Sequence, residues 1–243
     1  MTDTQVAIIN ATTCLADEEV ARAVPALQRQ ISEHLAIVWG QTAELTFVPR
    51  GAAAPANIWW LCVSDTSDQA GLEGYHDLTP DGLPLGKVFA ATAAAAGILW
   101  TVAASHELLE MVIDPEINRG VVMTAPNGSN VLYAQEICDP CEAMRFAYTL
   151  DGIAVSDFVF PSWFQSFRSP GSTQFDLTQQ ITRPFEVAPE GYIQIYDLRS
   201  GGWQQLQSDL APLPHRQRPL AGSRVERRRS LRSEWLRSVS PGR

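Results

Sequence analysis

The sequence predicts an α+β fold: a mixed β-sheet with one long helix, a second helix that carries polar residues, and a C-terminal half rich in β-structure. Three observations indicate this class. A strand-like segment at 5–10 precedes a helical segment at 17–39, where apolar residues recur every three or four positions. Apolar runs at 44–49 and 57–64 have the length and composition of strands. Beyond residue 128, short strand-like runs separated by turn residues prevail.

The N-terminal elements follow from local signals. Acidic residues Asp17–Glu19 suit the start of a helix, whose N-terminus is the positive end of its dipole. Pro25 requires a kink or a later helix start, because proline lacks an amide hydrogen. Residues 71–84 are rich in Gly, Asp and Pro and predict a loop. Residues 85–90 predict a short edge strand.

The second helix is predicted from Ala94 to Ile113. Its apolar residues surround a few polar ones, and Pro115 ends it because the residue before a proline avoids the helical conformation. In the C-terminal half, Asp151-Gly152 lies between two apolar runs and predicts a β-hairpin. The aromatic stretch 158–167 is interpreted as core or interface, and residues 192–198 predict a last strand.

The composition predicts one domain with a basic tail. A length of 243 residues and 45% apolar content allow a single sizeable core, predicted over residues 1–205. Residues 206–243 are poor in apolar side chains and predict a flexible tail. From residue 216 onward the net charge is +7, so the preceding part carries −16. Such an acidic body argues against a nucleic-acid-binding core, and only the tail could contact phosphates.

The most informative motif is His106-Glu107-x-x-Glu110 on the second helix. His106 and Glu110 are four residues apart, so they project from one helix face. This is the zinc-peptidase pattern H-E-x-x-H with glutamate in place of the second histidine. The pattern predicts His106 and Glu110 as metal ligands. It predicts Glu107 as the general base, because this carboxylate can take a proton from a water molecule held by the metal.

A third ligand must come from elsewhere in the chain. Glu136 and Asp139 are the leading candidates, about thirty residues after His106. Asp114 is a further candidate, either as a more distant ligand or as an acceptor that orients an imidazole. The alternative interpretation is an ordinary polar patch on an amphipathic helix. Ionised groups inside an apolar helix are costly unless they are paired or bind a metal, which favours the metal site.

At these residues the chain resembles zincin-like metallopeptidases. The run from Ser105 to Pro115, followed by Glu136-Ile137-x-Asp139-x-Cys141, is similar to uncharacterised bacterial and phage-encoded zincin-like proteins, and to plant exordium-like proteins. The resemblance covers about residues 5–167 in the order of elements and some 20 positions in detail. It implies a zincin-like fold and a metal at the helix, with His106 and Glu110 as ligands and Glu107 as base.

The replacement of histidine by Glu110 affects the expected metal. One histidine and two carboxylates neutralise a divalent cation, so a bound water is less acidic than in a three-histidine site. Zn²⁺ is the expected cofactor, and oxygen-rich ligation also allows Mn²⁺ or Ca²⁺. The expected function is zinc-dependent peptide or amide hydrolysis. The alternatives are an inactive zincin-like structural or assembly protein, possibly of a phage virion, and a calcium-binding module.

The remaining candidates receive structural interpretations. Cys14 and Cys62 are expected to be buried thiols. Cys138 and Cys141 are expected to form a local disulfide or remain inert, since a zinc ribbon needs a second cysteine pair. His76 is interpreted as an exposed loop histidine, with a place lining the cleft as the alternative.

The expected partner is a peptide or protein substrate. No stretch of the sequence has the length and hydropathy of a membrane span, and residues 1–10 lack the pattern of a signal peptide. The expected location is therefore the cytoplasm, or a virion if the chain is phage-encoded.

Overall fold

In a computed structural model, the chain is described over residues 4–69, 71–79, 82–124, 128, 130–199 and 201–208. The structure is α+β, as predicted: over these residues the strands form three sheets and the helices are few. The predicted tail, residues 206–243, lies outside the described residues from position 209 onward.

The N-terminal sheet is mixed and has five strands. They are Thr4–Asn10 (β1), Ala43–Val48 (β2), Trp59–Ser64 (β3), Gly74–Leu78 (β4) and Pro84–Phe89 (β5). Their order is β2-β1-β3-β5-β4, with the first four parallel and β4 antiparallel to β5 at the edge. Strands β1 and β3 are nearly continuous apolar runs because both of their faces are buried, which is typical of interior parallel strands.

Two sequence predictions for this sheet are wrong. The segment predicted as a loop contains β4, and β5 is an interior strand, not an edge strand. Every residue of β5 is buried, and a Cβ atom at Gly86 would lie only 2.4 Å from Leu61 Cδ1 on the neighbouring strand. The physical reason is tertiary: β4 is short and polar, and its pairing with β5 comes from the register of the whole sheet, not from its own apolar pattern.

The long helix begins at Asp17 and reaches Trp39, as predicted, but it changes type along its length. It is α-helical over Asp17–Arg29 (α1), π-helical over Gln30–Leu35 and α-helical again over Ala36–Trp39 (α2). Pro25 lies inside α1, so the later helix start considered for it is wrong.

The predicted second helix is in fact two helices, Ala90–Ala95 (α3) and Trp100–Ile113 (α4). Gly97 separates them with a φ of +75°, a left-handed conformation that glycine adopts without steric cost and that commonly ends helices. The predicted end before Pro115 is correct. Helix α4 packs against β4 and β5, and it is buried along most of its length.

The C-terminal half is rich in β-structure, as predicted. Gly120–Thr124 (β6), Asn130–Ala134 (β7), Tyr192–Asp197 (β10) and Trp203–Gln207 (β11) form an antiparallel sheet in the order β11-β10-β7-β6. The predicted hairpin consists of Tyr148–Leu150 (β8) and Ile153–Val155 (β9), joined by Asp151-Gly152, both with positive φ.

One main core joins the two halves of the structure. It contains Ile8 of β1, Leu27 of α1, Leu108 of α4 and the aromatic side chain of Trp163, all fully buried. Helix α4 therefore runs through the interior, and the ionisable side chains on it are placed among apolar ones. Within the described residues, no helix has the length and hydropathy needed to cross a membrane.

Candidate metal site

Three parts of the fold bring six ionisable side chains together. Helix α4, strand β4 and the turn after β7 supply these side chains, which together we call the polar cluster. They are His76, His106, Glu107, Glu110, Glu136 and Asp139. Each of these side chains is 12% exposed or less. So many ionisable groups in a buried position are costly unless opposite charges or a metal compensate them.

The first group in the polar cluster consists of His106, Glu110 and Asp139. Its Nε2 atom lies 3.3 Å from Glu110 Oε2 and 3.2 Å from Asp139 Oδ1. Glu142 lies nearby, and with His106 and Asp139 it offers three ligand atoms within 4.8 Å of one another. The structure thus brings the motif helix and the segment around residue 139 together.

Backbone amides hold Glu110 in place. The amides of Cys138 and Asp139 donate hydrogen bonds to Glu110 Oε1, at 2.9 and 3.3 Å. These bonds leave Oε2 directed toward the histidines. The turn that carries Asp139 is therefore fastened to α4 by the same carboxylate that faces His106. This contact explains how residues separated by about thirty positions share one site.

The charges of the first group are strongly coupled. Burial by itself lowers the pKa of His106, but the carboxylates of Glu110 and Asp139 outweigh it and raise this pKa well above its usual value. Burial opposes ionisation of Glu110 as well, yet the charge of His106 lowers the pKa of Glu110 to about 2. Burial and the charge of Glu110 raise the pKa of Asp139 to about 7. Without a metal, the group therefore retains protons at the positions that a cation would take.

The second group contains a residue that the sequence interpretation misplaced. His76 is buried on β4 and does not lie on an exposed loop. It offers ligand atoms within 4.8 Å of those of Glu110 and Glu136. Its Nδ1 atom is 3.8 Å from Glu110 Oε2, and its Nε2 atom is 3.5 Å from Glu136 Oε2. The expectation of an exposed loop histidine is therefore wrong, and His76 lies in the polar cluster.

Glu107 lies between α4 and the edge strand. Its Oε2 atom accepts a hydrogen bond from His76 Nδ1, at 3.2 Å. Gly74 on β4 leaves room for this side chain, because a Cβ atom there would lie 2.8 Å from both Cγ and Oε1 of Glu107. Glu107, the predicted base, thus has one carboxylate oxygen hydrogen-bonded to His76, and its side chain packs against β4 at the edge of the sheet.

All predicted ligands lie in the polar cluster, but they are divided between two groups. Glu136 lies with His76 and Asp139 lies with His106, whereas Glu110 contacts His106 and also offers a ligand atom to the His76 group. Asp114, the other candidate, has a different role. Its carboxylate accepts hydrogen bonds from the amides of Asn118 and Arg119 at 3.0–3.1 Å, and so it shapes the turn after α4.

The cysteines are not ligands in either group. Cys62, Cys138 and Cys141 are buried free thiols, so the local disulfide considered above is absent from the described residues. Burial raises the pKa of Cys138 and of Cys141, which keeps both thiols protonated and inert. Cys14 was expected to be buried and is instead exposed.

No match to the chain is found among protein-family models, curated proteins or solved structures. The zincin-like relationship therefore stays a prediction from the motif. The potential donor atoms of the site are imidazole nitrogens and carboxylate oxygens. This set of donors suits zinc or manganese.

Proposed function

We propose that the chain is a metal-dependent hydrolase of peptide or amide bonds, with Zn²⁺ as the expected ion. The observation that carries the proposal is the spacing around His106. Four-coordinate zinc with bonds of about 2.0–2.1 Å places neighbouring donor atoms about 3.3 Å apart. His106 Nε2 lies 3.3 and 3.2 Å from the oxygens of Glu110 and Asp139. These three residues would hold the ion.

The roles of the other residues follow from their positions. A bound divalent ion supplies Lewis acidity and lowers the pKa of water. Glu107 is adjacent to the ligands on α4, and its carboxylate is the group that takes the proton of the attacking water and returns it to the leaving amine. The hydrogen bond from His76 to Oε2 fixes the orientation of Glu107, which leaves Oε1 to receive the proton.

The edge strand supports a peptide as substrate. Over the described part of the chain, β4 is the edge strand of its sheet and pairs with β5 alone, and addition of an extended peptide to a sheet edge through backbone hydrogen bonds is the recognition mode that we propose. Such a peptide would lie next to the strand against which Glu107 packs, at Gly74. The order of strand, long helix, two strands, antiparallel edge strand β4, interior strand β5 and then the motif helix α4 after the short α3 also supports the finer classification as a zincin-like fold.

Burial favours a second candidate function, a structural metal in an inactive zincin-like protein. Structural zinc sites are closed by protein ligands, whereas catalytic sites keep a position open for water. The cluster has more potential ligands than a catalytic ion requires, and His106, its most exposed member, is only 12% exposed. In this case metal removal lowers the melting temperature, and no peptide is cleaved.

The test is the Glu107→Gln variant, assayed with zinc-loaded protein on a mixed peptide library with cleavage followed by mass spectrometry. Glutamine keeps the size and the hydrogen bond to His76 but cannot take a proton. We expect turnover to fall at least about 100-fold, with unchanged metal content and melting temperature. Glu33→Gln, a change at an exposed ion pair with Arg29, is the matched control and should retain activity.

Two outcomes would contradict the proposal. Full activity of Glu107→Gln shows that this carboxylate is not the base. A wild-type protein that binds zinc, loses thermal stability when the zinc is chelated and cleaves no peptide supports the structural candidate instead.

A further inference from the structure

His76 is buried in the polar cluster, and only one of its two ring nitrogens has a hydrogen-bond partner among the described residues. Its side chain is 6% exposed, and its Nδ1 atom is bonded to Glu107. The other ring nitrogen, Nε2, is buried and has no hydrogen-bond partner among the described residues. This nitrogen is directed toward Glu136, whose Oε2 atom lies 3.5 Å away.

This arrangement is the one that metal-binding histidines adopt. Such a histidine donates one ring N–H to a carboxylate, which fixes the tautomer and leaves the other nitrogen free to bind the metal. In His76 the Nδ1 atom donates to Glu107, so Nε2 is the nitrogen left to act as a ligand. The distance of 3.5 Å to Glu136 Oε2 fits two ligands of one ion.

We infer that the polar cluster is a two-ion centre, in which His76 and Glu136 bind a second divalent cation and Glu110 bridges the two ions. The inference rests on the proposed first ion at His106, Glu110 and Asp139, because the two ions share Glu110. The bridging position follows from the place of Glu110 between the two histidines: its Oε2 lies 3.3 Å from His106 Nε2, and it offers a ligand atom within 4.8 Å of ligand atoms of His76 and Glu136. Paired metal ions in proteins lie about 3.5–4 Å apart, a separation that one carboxylate spans.

Charge balance supports two ions rather than one. Four buried carboxylates belong to the cluster: Glu107, Glu110, Glu136 and Asp139. Two divalent cations carry the positive charge that balances four ionised carboxylates, and buried carboxylates are costly unless opposite charge compensates them. Two ions also fit the presence of two neighbouring groups of potential ligands, one with His76, Glu110 and Glu136 and one with His106, Asp139 and Glu142.

The test is a count of bound ions by native mass spectrometry after incubation with excess Zn²⁺ and removal of the free metal. We expect two ions per chain in the wild type and one in His76→Ala. His76→Asn serves as a second variant in case the alanine variant does not fold, and circular dichroism checks the fold of each. His34→Ala is the matched control, because His34 contacts Tyr148 outside the cluster, and it should keep two ions.

A second readout uses Mn²⁺ and electron paramagnetic resonance. Two bridged ions give a spin-coupled spectrum in the wild type, and the single ion of His76→Ala gives the six-line spectrum of isolated Mn²⁺. One ion in the wild type, or two ions in His76→Ala, would overturn the inference.

The count also separates this inference from the proposed function. If the wild type binds one ion that His106→Ala removes and His76→Ala does not, the two-ion centre is wrong and the first site stands. If His106→Ala binds as many ions as the wild type, the first site is wrong and the shared centre fails with it.

Discussion

The contact between Gly74 and Glu107 gives a prediction for protein stability that needs no substrate, and a second one for turnover. In Gly74→Ala, the new methyl group would lie 2.8 Å from Cγ and Oε1 of Glu107 and 3.0 Å from the backbone oxygen of Lys87. Ordinary contacts between such atoms are about 3.5 Å or longer. The Glu107 side chain must therefore move by about 0.7 Å, because the backbone oxygen of Lys87 limits movement in the other direction.

Such crowding in a packed interior costs about 1–3 kcal/mol in the free energy of unfolding. Denaturation by urea measures this loss. If Glu107 is the proposed base, a displacement of this size is also expected to lower turnover between about tenfold and 100-fold, since a misplacement of about 1 Å can cost 100-fold. The matched control is Gly120→Ala, whose methyl group meets Leu132 Cδ1 at 2.7 Å and Tyr133 O at 2.8 Å. It should lose similar stability and keep its turnover.

A double-mutant cycle isolates the contact. Glu107→Ala removes the atoms that the new methyl group meets, so most of the stability lost in Gly74→Ala should disappear in this background. We expect a coupling free energy of at least about 1 kcal/mol between the two positions. Additive effects of the two substitutions would refute the reasoning, because they would show that Glu107 does not lie against β4.

Two further predictions concern pH. The pKa of His106 is raised well above its usual value and that of Asp139 to about 7, so metal binding at the first group displaces protons from both side chains. Calorimetry in two buffers should therefore show proton release at pH 6, less release at pH 8 because Asp139 has by then lost its proton, and an affinity that rises with pH. No proton release in this range contradicts the assignment of these ligands. Burial and the charge of Asp176 raise the pKa of Asp157 to about 8. Between about pH 4 and pH 8 the folded state therefore binds one proton more than the unfolded state. The stability that this proton contributes is lost as pH rises through that window. Asp157→Asn should flatten the dependence of the unfolding free energy on pH, and an unchanged slope in urea titrations would show that Asp157 does not carry that proton.

The motif residues of the candidate site could be predicted because their spacing is local. His106, Glu107 and Glu110 lie on one helix, so helical periodicity alone places them together. Asp139 was selected by residue type and by distance along the chain. Its position beside His106 depends on hydrogen bonds from the backbone of its turn to Glu110, a contact that no periodicity reveals.

His76 was missed because its strand has no apolar pattern. Strand β4 consists of Gly74–Leu78, and the Gly, Asp and Pro residues around it predict a loop. It exists as a strand because β5 beside it is buried and fixes the register, with Gly86 opposite His76. A polar edge strand that packs against the motif helix therefore cannot be predicted when each segment of the sequence is considered by itself.

The π-helical turn could not be predicted for a similar reason. Gln30 within it is fully buried. Its side-chain amide donates to the backbone oxygen of Ser156 at 2.8 Å, and its Oε1 atom accepts a bond from Ser105 Oγ at 2.6 Å. Ser105 precedes His106 on α4, so this network connects the long helix to the helix of the site. The apolar repeat of residues 17–39 is satisfied equally by an uninterrupted α-helix.

The most direct test of the central claim is the metal content of the purified protein, measured by elemental mass spectrometry after incubation with zinc and dialysis. The wild type and His34→Ala should retain zinc equally, and His106→Ala should retain at least one ion per chain less. The claim of a metal site at the motif helix is contradicted if none of the three proteins retains zinc, manganese or calcium, or if His106→Ala retains as much metal as the wild type.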